Sequence, residues 1–319
     1  MERKPLIIGI DGGGTKTAGR LTDGDKVILA EHHGGSSNMQ VIGASACADI
    51  FQEVVTMLCD KAQCELQDVK SIAVGLAGAG RASDRTSVYN DLKKKLNLPN
   101  TKITIVSDAD IALEAAYGED PGIIIIAGTG SIVYGRNIHG EISRMGGWGP
   151  VLGDPGSGSD IGLKALQKLG QIFDGRAQKS ELLARFSESF GIDSPESLIN
   201  KVYSEKIKPS TLTRPVFEAA MNKDENALDV LNQAAAGLAD MVQHFLAGFS
   251  KMQKVPITLK GGMLESDTIY RRILMQHIKN LPYPASVIPF SREAIDGAVD
   301  LALRMTAPSQ NKNIIFRND

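Results

Sequence analysis

The chain has 319 residues, a length that predicts about two domains at roughly 150 residues each. Its 35 basic and 37 acidic side chains give a net charge of −2, which provides no strong field for nucleic acid or an anionic membrane and excludes both as primary partners. Apolar residues make up 42% of the chain, enough for a real core. The longest aliphatic run, 123–127, is far shorter than the ~20 residues that span a bilayer.

The first residues of the chain lead directly into an apolar, strand-like run and show no secretory pattern. The three cysteines, Cys47, Cys59 and Cys64, are sparse and include no CxxC pair. Both features are typical of a protein of the reducing cytosol, so we expect a cytoplasmic location.

Glycine is over-represented, with 33 residues, about a tenth of the chain against a usual ~7%. The glycines are clustered, and most of the clusters follow an apolar run that predicts a buried strand. The clusters lie at 12–14, 75–80, 128–135, 146–162 and 261–262. A glycine turn after a buried strand brings backbone amides close to a ligand, so we expect the amides of several turns to converge on one anionic group.

The first cluster, DGGGTKT at 11–17, is followed by a short apolar run, a TDGD turn signal at 22–25 and a second apolar run. This pattern predicts a glycine turn that leads into an antiparallel hairpin and not into a helix. A dinucleotide-binding GxGxxG motif is excluded because Thr17 stands at the last glycine position. A Walker loop is excluded because Thr15 and not glycine precedes Lys16.

The same order of features recurs at 123–136, where four isoleucines lead into a GTGS turn and a return strand. The repeat predicts an α/β protein with two similar lobes. Each lobe would offer one hairpin turn for phosphate, and the two turns would enclose a nucleotide in the cleft between the lobes. Thr15 and Thr129 would add hydroxyl donors, and Lys16 a mobile positive charge.

Four stretches have the 3.6-residue spacing of apolar side chains that predicts a helix. They are 42–57, 228–249, 269–281 and 294–305, with Ser266 and Asp267 expected to cap the third. A GEDPG sequence at 118–122 predicts the boundary between an N-terminal lobe, 1–118, and a C-terminal lobe, 119–290. The polar segment 307–319 is expected to be a loose tail.

Asp108 directly follows the strand-like run 103–107, and a helix is predicted to begin at once. A carboxylate here would project from a strand end, where open α/β sheets bind their ligands. It could act as a general base toward a hydroxyl that attacks phosphorus. The spacing alone is equally consistent with a helix N-cap, a role that Asp110 could also fill.

The segment 146–158 is too rich in glycine for regular structure, yet it contains Trp148, the only tryptophan of the chain. One interpretation is that Trp148 fills a gap in the core and that Asp154 caps the following helix. The other is that an indole face beside acidic and amide groups binds a sugar, which the flanking glycines would allow to approach the backbone. Asn38 also has two interpretations, either as a turn or cap residue or as a side chain that binds sugar hydroxyls.

These motifs occur in one order along the chain: GIDGGGTKT at 9–17, Asp108, GTGS at 128–131, GGWG at 146–149 with Gly153-Asp154, and LKGG at 259–262. Together they resemble the N-acetylglucosamine kinase branch of the BadF/BadG/BcrA/BcrD ATPase family, within the actin, sugar-kinase and heat-shock-chaperone superfamily. The resemblance covers nearly the whole chain, about 7–303. It implies an actin-like ATPase fold of two duplicated ribonuclease-H-like lobes, with a C-terminal helix, 291–306, packed back on the first lobe.

The resemblance also implies an activity, the ATP-dependent transfer of the γ-phosphate to the 6-hydroxyl of N-acetylglucosamine or of a close relative such as glucosamine or N-acetylmuramic acid. Asp108 would face that hydroxyl as the catalytic base, and Asp11 would organise Mg²⁺ through water. The implied nucleotide-binding positions are Asp11, Gly12, Gly13, Gly14, Thr15, Lys16, Gly128, Thr129, Gly130, Gly261 and Gly262, the last two against the adenosine. The implied sugar-binding positions are Asn38, Ser131, Gly147, Trp148 and Asp154. A homodimer is common among such relatives.

The sequence departs from the family pattern at Pro155, where relatives usually carry Glu, and this departure bears on the sugar contacts. One alternative is a family ATPase that activates a dehydratase or reductase. It would need cysteines for an iron–sulfur cluster, and the three cysteines fall early in the chain, far from the second glycine turn. Another is a sugar-sensing repressor, which would need a helix-turn-helix before the strand that begins near Leu6.

Overall fold

The computed structural model describes residues 4–249, 252, 254–289 and 291–307. From residue 308 onward, the predicted tail lies outside the described residues. The chain divides into two compact units. Unit 1 comprises the residues up to Glu119 and those from Ser291 onward, and unit 2 comprises the residues from Asp120 to those that precede Ser291.

Unit 1 contains a five-stranded sheet with its first strand at the centre. The strands are β1 (Leu6–Gly12), β2 (Thr17–Thr22), β3 (Ile28–Gly34), β4 (Val69–Leu76) and β5 (Lys102–Ser107). Their order is β3-β2-β1-β4-β5, in which β1 is antiparallel to β2 and parallel to β4, and β4 is parallel to β5. The carboxyl ends of β1, β4 and β5 therefore meet at one edge, where Asp11 pairs with Gly75 and Leu76 pairs with Ser107.

Helices cover both faces of this sheet, because its central strands carry apolar side chains on both sides. They are α1 (Met39–Ala62), α2 (Ala82–Leu96), α3 (Asp108–Tyr117) and, numbered in chain order, α10 (Ala294–Thr306). Alternation along β1 places Ile8 in one core cluster with Phe51 of α1, and Ile7 in a second cluster with Ala298 of α10. The helices predicted at 42–57 and 294–305 are confirmed, with extended ends.

Helix α1 is long and apolar enough, by length and composition alone, to cross a membrane. In unit 1 its apolar side chains pack in the core instead, where Phe51, Val54 and Leu58 are fully buried. The packing of α1 against β2 and β3 therefore accounts for its composition.

Unit 2 repeats the strand pattern of unit 1. Its strands are β6 (Gly122–Ala127), β7 (Ser131–Arg136), β8 (Ile142–Gly146), β9 (Val255–Lys260) and β10 (Ala285–Ile288). Their order is β10-β9-β6-β7-β8, in which β6 is antiparallel to β7 and parallel to β9. Since β6 has the place of β1, and β7 that of β2, the predicted repeat of strand, glycine turn and return strand is confirmed.

The helices of unit 2 pack around a large apolar cluster. They are α4 (Gly158–Phe173), α5 (Glu181–Phe190), α6 (Pro195–Ile199), α7 (Thr213–Met221), α8 (Glu225–Leu246) and α9 (Ile269–Lys279). Single turns of 3₁₀ or π-helix occur at Leu66–Asp68 in unit 1 and at Asn200–Ser204, Pro209–Leu212 and Ala247–Phe249 in unit 2. The stripe predicted for α8 is confirmed, since Leu231, Leu238 and Val242 are fully buried.

Helix α9 corrects two details of its prediction. Thr268, and not Ser266 or Asp267, is the N-cap, because its hydroxyl oxygen accepts the N–H of Arg271 at 3.0 Å. The buried stripe is also displaced by one residue, to Tyr270, Leu274 and Ile278. The apolar residues of the predicted stripe, Ile269, Ile273 and Leu281, are partly buried and pack against the same core cluster.

Helix α4 offers a matched pair of glycines that tests its packing. A Cβ at Gly162 would lie 1.9 Å from the carbonyl oxygen of Pro209, whereas a Cβ at Gly170 would meet nothing within 4 Å. We predict that Gly162→Ala lowers the free energy of unfolding by about 1–3 kcal/mol, because backbone must move. Gly170→Ala should raise it by about 0.5–1 kcal/mol through the better helix propensity of alanine.

Urea denaturation of the two variants and the parent measures both changes. Equal stabilities of the two variants would contradict the close approach of α4 to Pro209.

Candidate active site

The glycine turn between β1 and β2 is compact and exposes its tip. A Cβ at Gly12 would lie 2.7 Å from Ser37 Oγ, and one at Gly13 would lie 2.9 Å from the carbonyl oxygen of Lys16. A Cβ at Gly14 would have Asn38 Nδ2, at 3.8 Å, as its nearest neighbour. Gly14 and the two residues after it are exposed. A side chain at either of the first two glycines would thus collide with neighbouring atoms. At the tip of the turn, the backbone around Gly14 stays accessible to a ligand.

The segment that follows β3 holds this turn in place. The N–H of Ser37 donates to the carbonyl oxygen of Gly13 at 3.0 Å, and Ser36 Oγ donates to that of Gly14 at 2.8 Å. Thr17 Oγ1 and Ser37 Oγ, both buried, lie 2.8 Å apart in a hydrogen bond. Sequence reasoning missed Thr17 and Ser37 as supports of the turn, although buried hydroxyls so close to a glycine turn need partners.

Asp108 stands at the first position of α3 but is not its N-cap. The cap is Ser107, whose Oγ accepts the N–H of Asp110 at 3.1 Å, while Asp110 Oδ2 accepts the N–H of Ser107 at 2.8 Å. This reciprocal capping box satisfies the helix start without Asp108. The capping interpretation of Asp108 is therefore wrong, and its own Oδ1 accepts the N–H of the adjacent Ala109 at 2.9 Å.

The carboxyl of Asp108 has an unusual environment. The side chain is exposed, so a ligand can reach it, yet enough protein surrounds the carboxyl to remove much of its hydration. Loss of hydration raises the pKa of Asp108 to about 6, the N–H of Ala109 opposes the change, and the charges of Asp11 and Asp110 add to it. At pH 7 the group is still mostly ionised, and it is a stronger base than an ordinary aspartate.

Asn38 acts as the N-cap of α1. Its Oδ1 accepts the N–H of Gln40 at 3.0 Å, and Gln40 in turn donates to the carbonyl oxygen of Gly78 at 2.8 Å. A Cβ at Gly78 would lie 2.6 Å from Asn38 Oδ1, so the glycine loop after β4 fits closely against the asparagine. The interpretation of Asn38 as a cap residue is confirmed. Its side chain lies beside Gly14, which leaves a ligand role in addition to capping.

The second turn, residues 128–131 between β6 and β7, is held by the start of α4. The N–H of Gly128 donates across the turn to the carbonyl oxygen of Gly130 at 2.9 Å. The N–H of Gly158 donates to the carbonyl oxygen of Gly128 at 2.8 Å, and Ser159 Oγ donates to that of Thr129 at 2.8 Å. Thr129 remains exposed. The second turn thus presents backbone and a hydroxyl next to a helix N-terminus, a favourable place for an anion.

The glycine pair after β9 lies at the same end of the unit 2 sheet. Gly261 has a φ of 93°, and a Cβ there would lie 2.4 Å from the carbonyl oxygen of Ala127, the last residue of β6. Gly262 has nothing within 4 Å of a Cβ position. The structure therefore brings this pair next to the second turn, and only Gly261 is sterically required to be glycine.

Trp148 is not a core residue, because 63% of its surface is exposed. The guanidinium carbon of Arg144 lies 5.6 Å from the centre of the indole ring, a cation–π contact on the preceding strand. Four glycines with positive φ flank the tryptophan; they are Gly146, Gly147, Gly149 and Gly153. The interpretation that Trp148 fills a gap in the core is wrong, and its accessible face stays available for a ligand.

Three of the other predicted sugar-binding positions lie in that loop or form hydrogen bonds with it or with the residue just beyond it. Ser131 is buried and donates from Oγ to the carbonyl oxygen of Pro155 at 2.7 Å, and Gly147 donates its N–H to the carbonyl oxygen of Ser131 at 2.9 Å. Asp154 is 6% exposed, and its Oδ1 accepts the N–H of Gly149 at 3.0 Å. Asp154 does not cap α4, since the side chain of Ser157 does so.

Among the described residues, no three His, Cys, Asp or Glu side chains form a cluster for a metal ion. Asp11, near the end of β1, offers a carboxylate of the kind that Mg²⁺ takes together with several waters and phosphate oxygens. Loss of hydration is the main cause of the raised pKa of Asp108, the negative charge of Asp11 adds to it, and a bound cation would relieve this repulsion.

Comparison with known proteins places this arrangement in a family. The profile of the BadF/BadG/BcrA/BcrD ATPase family matches residues 8–299. An N-acetylmuramic acid/N-acetylglucosamine kinase of Clostridium acetobutylicum is 35% identical over 93% of this chain and 97% of that protein. An N-acetyl-D-glucosamine kinase of Dictyostelium discoideum is 31% identical over 94% of this chain and 98% of that protein. A crystal structure of a candidate N-acetylglucosamine kinase from Chromobacterium violaceum has a TM-score of 0.68 at 24% identity and covers 94% of this chain and 99% of its own.

The duplicated sheet and this structural match define an actin-like α/β fold of two ribonuclease-H-like lobes, as predicted. The chain belongs to the BadF/BadG/BcrA/BcrD ATPase family. The family resemblance stated from the motifs is therefore confirmed.

The electrostatic link between the two strand-end carboxylates can be measured directly. We predict that Asp11→Asn lowers the pKa of Asp108, because removal of a nearby negative charge favours the ionised form. The measurement is a pH titration of the carboxyl ¹³C resonances in aspartate-labelled protein, with Asp108→Asn to assign the signal. An Asp108 resonance that titrates at the same pH in the parent and in Asp11→Asn would contradict the proximity of the two groups.

Proposed function

We propose that this chain is an ATP-dependent amino-sugar kinase that transfers the γ-phosphate to the 6-hydroxyl of N-acetylglucosamine or N-acetylmuramic acid. The proposal rests on the environment of Asp108. Its carboxyl follows a strand end, is accessible, has a raised pKa and takes no part in capping the helix. The two curated relatives, which act on amino sugars by name, support the substrate class.

In this mechanism Asp108 accepts the proton of the sugar hydroxyl as its oxygen attacks the γ-phosphorus. One oxygen–phosphorus bond forms, the bond from the γ-phosphorus to the bridging oxygen breaks, and ADP leaves. The raised pKa of Asp108 makes the carboxylate a better proton acceptor, and its ionised form predominates at neutral pH. Asn38, held beside Gly14 by its cap, would bind sugar hydroxyls, and the exposed face of Trp148 would stack on the sugar ring.

The two glycine turns would bind the phosphates of ATP. Backbone amides of 12–16 and 128–130, the hydroxyls of Thr15 and Thr129, and the ammonium of Lys16 are the donors. Gly261 and Gly262 would lie against the adenosine. Asp11 would hold Mg²⁺ through water, and the ion would neutralise part of the phosphate charge. With ATP and the sugar bound by these groups, the barrier would be lowered mainly by orientation and by charge stabilisation.

The alternative of an ATPase that activates a dehydratase receives no support from the cysteines. Cys47 and Cys59 are buried in α1, and loss of hydration raises the pKa of Cys47 to about 11 and that of Cys59 to about 12. Buried, protonated thiols on a core helix are poor candidates for ligands of a shared iron–sulfur cluster.

The proposed function is tested by ADP release over a panel of N-acetylglucosamine, N-acetylmuramic acid, glucosamine, N-acetylmannosamine and glucose, with a control without sugar. We expect release that depends on an N-acetylated amino sugar, and a product whose ³¹P–¹H coupling identifies C6 as the site of attachment. Release that does not depend on any sugar would favour the ATPase alternative and overturn the proposal.

A matched pair of carboxylates tests the base. We predict that Asp108→Asn keeps the fold and lowers turnover by roughly 10²–10⁴-fold, the usual contribution of general base catalysis. Asp110→Asn, two residues away, should lower turnover by less than about tenfold, because Asp110 caps α3 and does not touch the reacting atoms. Comparable losses in both variants, or near-normal turnover in Asp108→Asn, would remove Asp108 from the role of base.

A further inference from the structure

Helix α9 is bonded at its start to the loop that carries the glycine pair. We call the residues between β9 and α9 the β9–α9 loop. Thr268 Oγ1 donates to the carbonyl oxygen of Met263 at 2.8 Å, and the guanidinium of Arg271 donates to that of Leu264. The N–H of Leu264 in turn donates to the carbonyl oxygen of Gly261 at 2.8 Å. The first turn of α9 therefore holds the β9–α9 loop in place.

A tyrosine in that first turn connects α9 to the start of α4. Tyr270 is fully buried, and its hydroxyl donates to the carbonyl oxygen of Gly156 at 2.7 Å. The N–H of Gly156 donates to Asp160 Oδ2, in the first turn of α4, at 2.9 Å. Loss of hydration raises the pKa of Tyr270, so its hydroxyl stays protonated and remains a donor. Gly156 is thus bonded through its carbonyl to α9 and through its N–H to α4.

The contact between Tyr270 and Gly156 is closely packed. A Cβ at Gly156 would lie 2.5 Å from Tyr270 Oη and 2.6 Å from Leu238 Cβ, and the φ of this glycine is 76°. The ring of Tyr270 packs edge-on against that of Phe217, with the ring centres 6.4 Å apart. Neither the ring nor the glycine can move far without a collision, so the hydrogen bond fixes the distance between α9 and the start of α4.

The start of α4 extends this connection to the second turn. The N–H of Gly158 donates to the carbonyl oxygen of Gly128 at 2.8 Å, and Ser159 Oγ donates to that of Thr129 at 2.8 Å. The second turn and the β9–α9 loop are also neighbours at their bases, because β6 and β9 are paired strands. The Tyr270 hydrogen bond joins the two segments beyond the strand ends, through the starts of α4 and α9.

We propose that Tyr270 is a positioning residue that holds the β9–α9 loop and the second turn at the spacing that one nucleotide needs. The proposal rests on the proposed function, which assigns the adenosine to Gly261 and Gly262 and phosphate to the second turn. Because Tyr270 is fully buried, it acts on the nucleotide only through the segments that it joins. A ligand that bridges both segments gains affinity from their fixed spacing, whereas a ligand on one segment does not.

Tyr270→Phe breaks the connection and changes little else. It keeps the ring against Phe217 and leaves the buried carbonyl of Gly156 without its donor. We expect the dissociation constant of ADP with Mg²⁺, measured by isothermal titration calorimetry, to rise about five- to twentyfold. Tyr283→Phe is the matched control and should bind ADP as the parent does, because Tyr283 packs against the same core cluster but lies outside both segments. Unchanged ADP affinity in Tyr270→Phe would overturn the proposal.

Two fragments of ADP distinguish the spacing of the segments from the shape of either one. Adenosine would occupy only the β9–α9 loop, and pyrophosphate only the glycine turns that bind phosphate. In titrations followed by ligand NMR, we expect the dissociation constant of each fragment to agree within about twofold between the parent and Tyr270→Phe. If either fragment loses as much affinity as ADP does, Tyr270 supports the shape of one segment only, and the positioning role is wrong.

A second variant breaks the same connection at its next bond. Asp160→Ala removes the acceptor of the Gly156 N–H and should weaken ADP binding as Tyr270→Phe does, with both fragments unaffected. Since either break uncouples the two segments, the double variant should bind ADP no worse than the weaker single variant. Losses that multiply would contradict a single connection. Should Tyr270→Phe not fold, Asp160→Ala and the two fragments decide the question.

These measurements separate the positioning role from the proposed function. A chain that binds ADP but phosphorylates no sugar would overturn the proposed function, while the ADP affinities would still decide the role of Tyr270. An active sugar kinase whose ADP affinity is the same in Tyr270→Phe would overturn only the positioning role. A parent that binds no ADP would overturn both.

Discussion

The convergence of three parallel strand ends determines the chemistry available in unit 1. Because β1 and β5 both pair parallel with β4, the next-to-last residue of β1 and the residue that follows β5 must lie near the same edge. Both residues are aspartates, Asp11 and Asp108. Their repulsion adds to the loss of hydration at Asp108 and raises its pKa to about 6. The helix after β5 is capped by Ser107 and Asp110. The start of the helix therefore positions Asp108, but capping does not use its carboxyl.

The glycine turns impose a second constraint, which is steric. At Gly12 and Gly261 a Cβ would collide with neighbouring groups within 3 Å, so these positions accept only glycine without rearrangement. At Gly14, Gly128 and Gly262 there is room for a side chain. Glycine at these three positions is therefore not demanded by the fold. A ligand that approaches the backbone closely is a physical reason for it, and this agrees with the proposed binding of phosphate and adenosine.

Much of the fold could be predicted from local patterns. An apolar run that leads through a glycine turn into a second apolar run predicts an antiparallel hairpin, and the TDGD turn signal after it predicts a further strand. The recurrence of strand, glycine turn and return strand at 123–136 predicts the repeated sheet. The choice between capping and catalysis at Asp108 could not be made from spacing, because it depends on which oxygen reaches the free N–H groups of α3. The exposure of Trp148 and the identity of the most buried stripe of α9 could not be predicted from the local sequence pattern either. Both depend on which of several apolar side chains finds room in the core.

The contacts of the glycine-rich segment 146–154 illustrate the same limit. The motif at 146–154 indicated that Trp148 and Asp154 belong to one site, but the sequence could not distinguish a ligand contact from a structural one. The structure adds that Trp148 is exposed, while Asp154 is buried and accepts the N–H of Gly149.

The central claim, that Asp108 is the proton acceptor, is tested most directly by the pH dependence of kcat/KM for the sugar. The carboxylate is the active form, so kcat/KM should fall as the pH drops through about 6 and be constant above it. The residual activity of Asp108→Asn should lack this acidic limb. A parent profile that is flat between about pH 5 and 8, or the same limb in Asp108→Asn, would contradict the account.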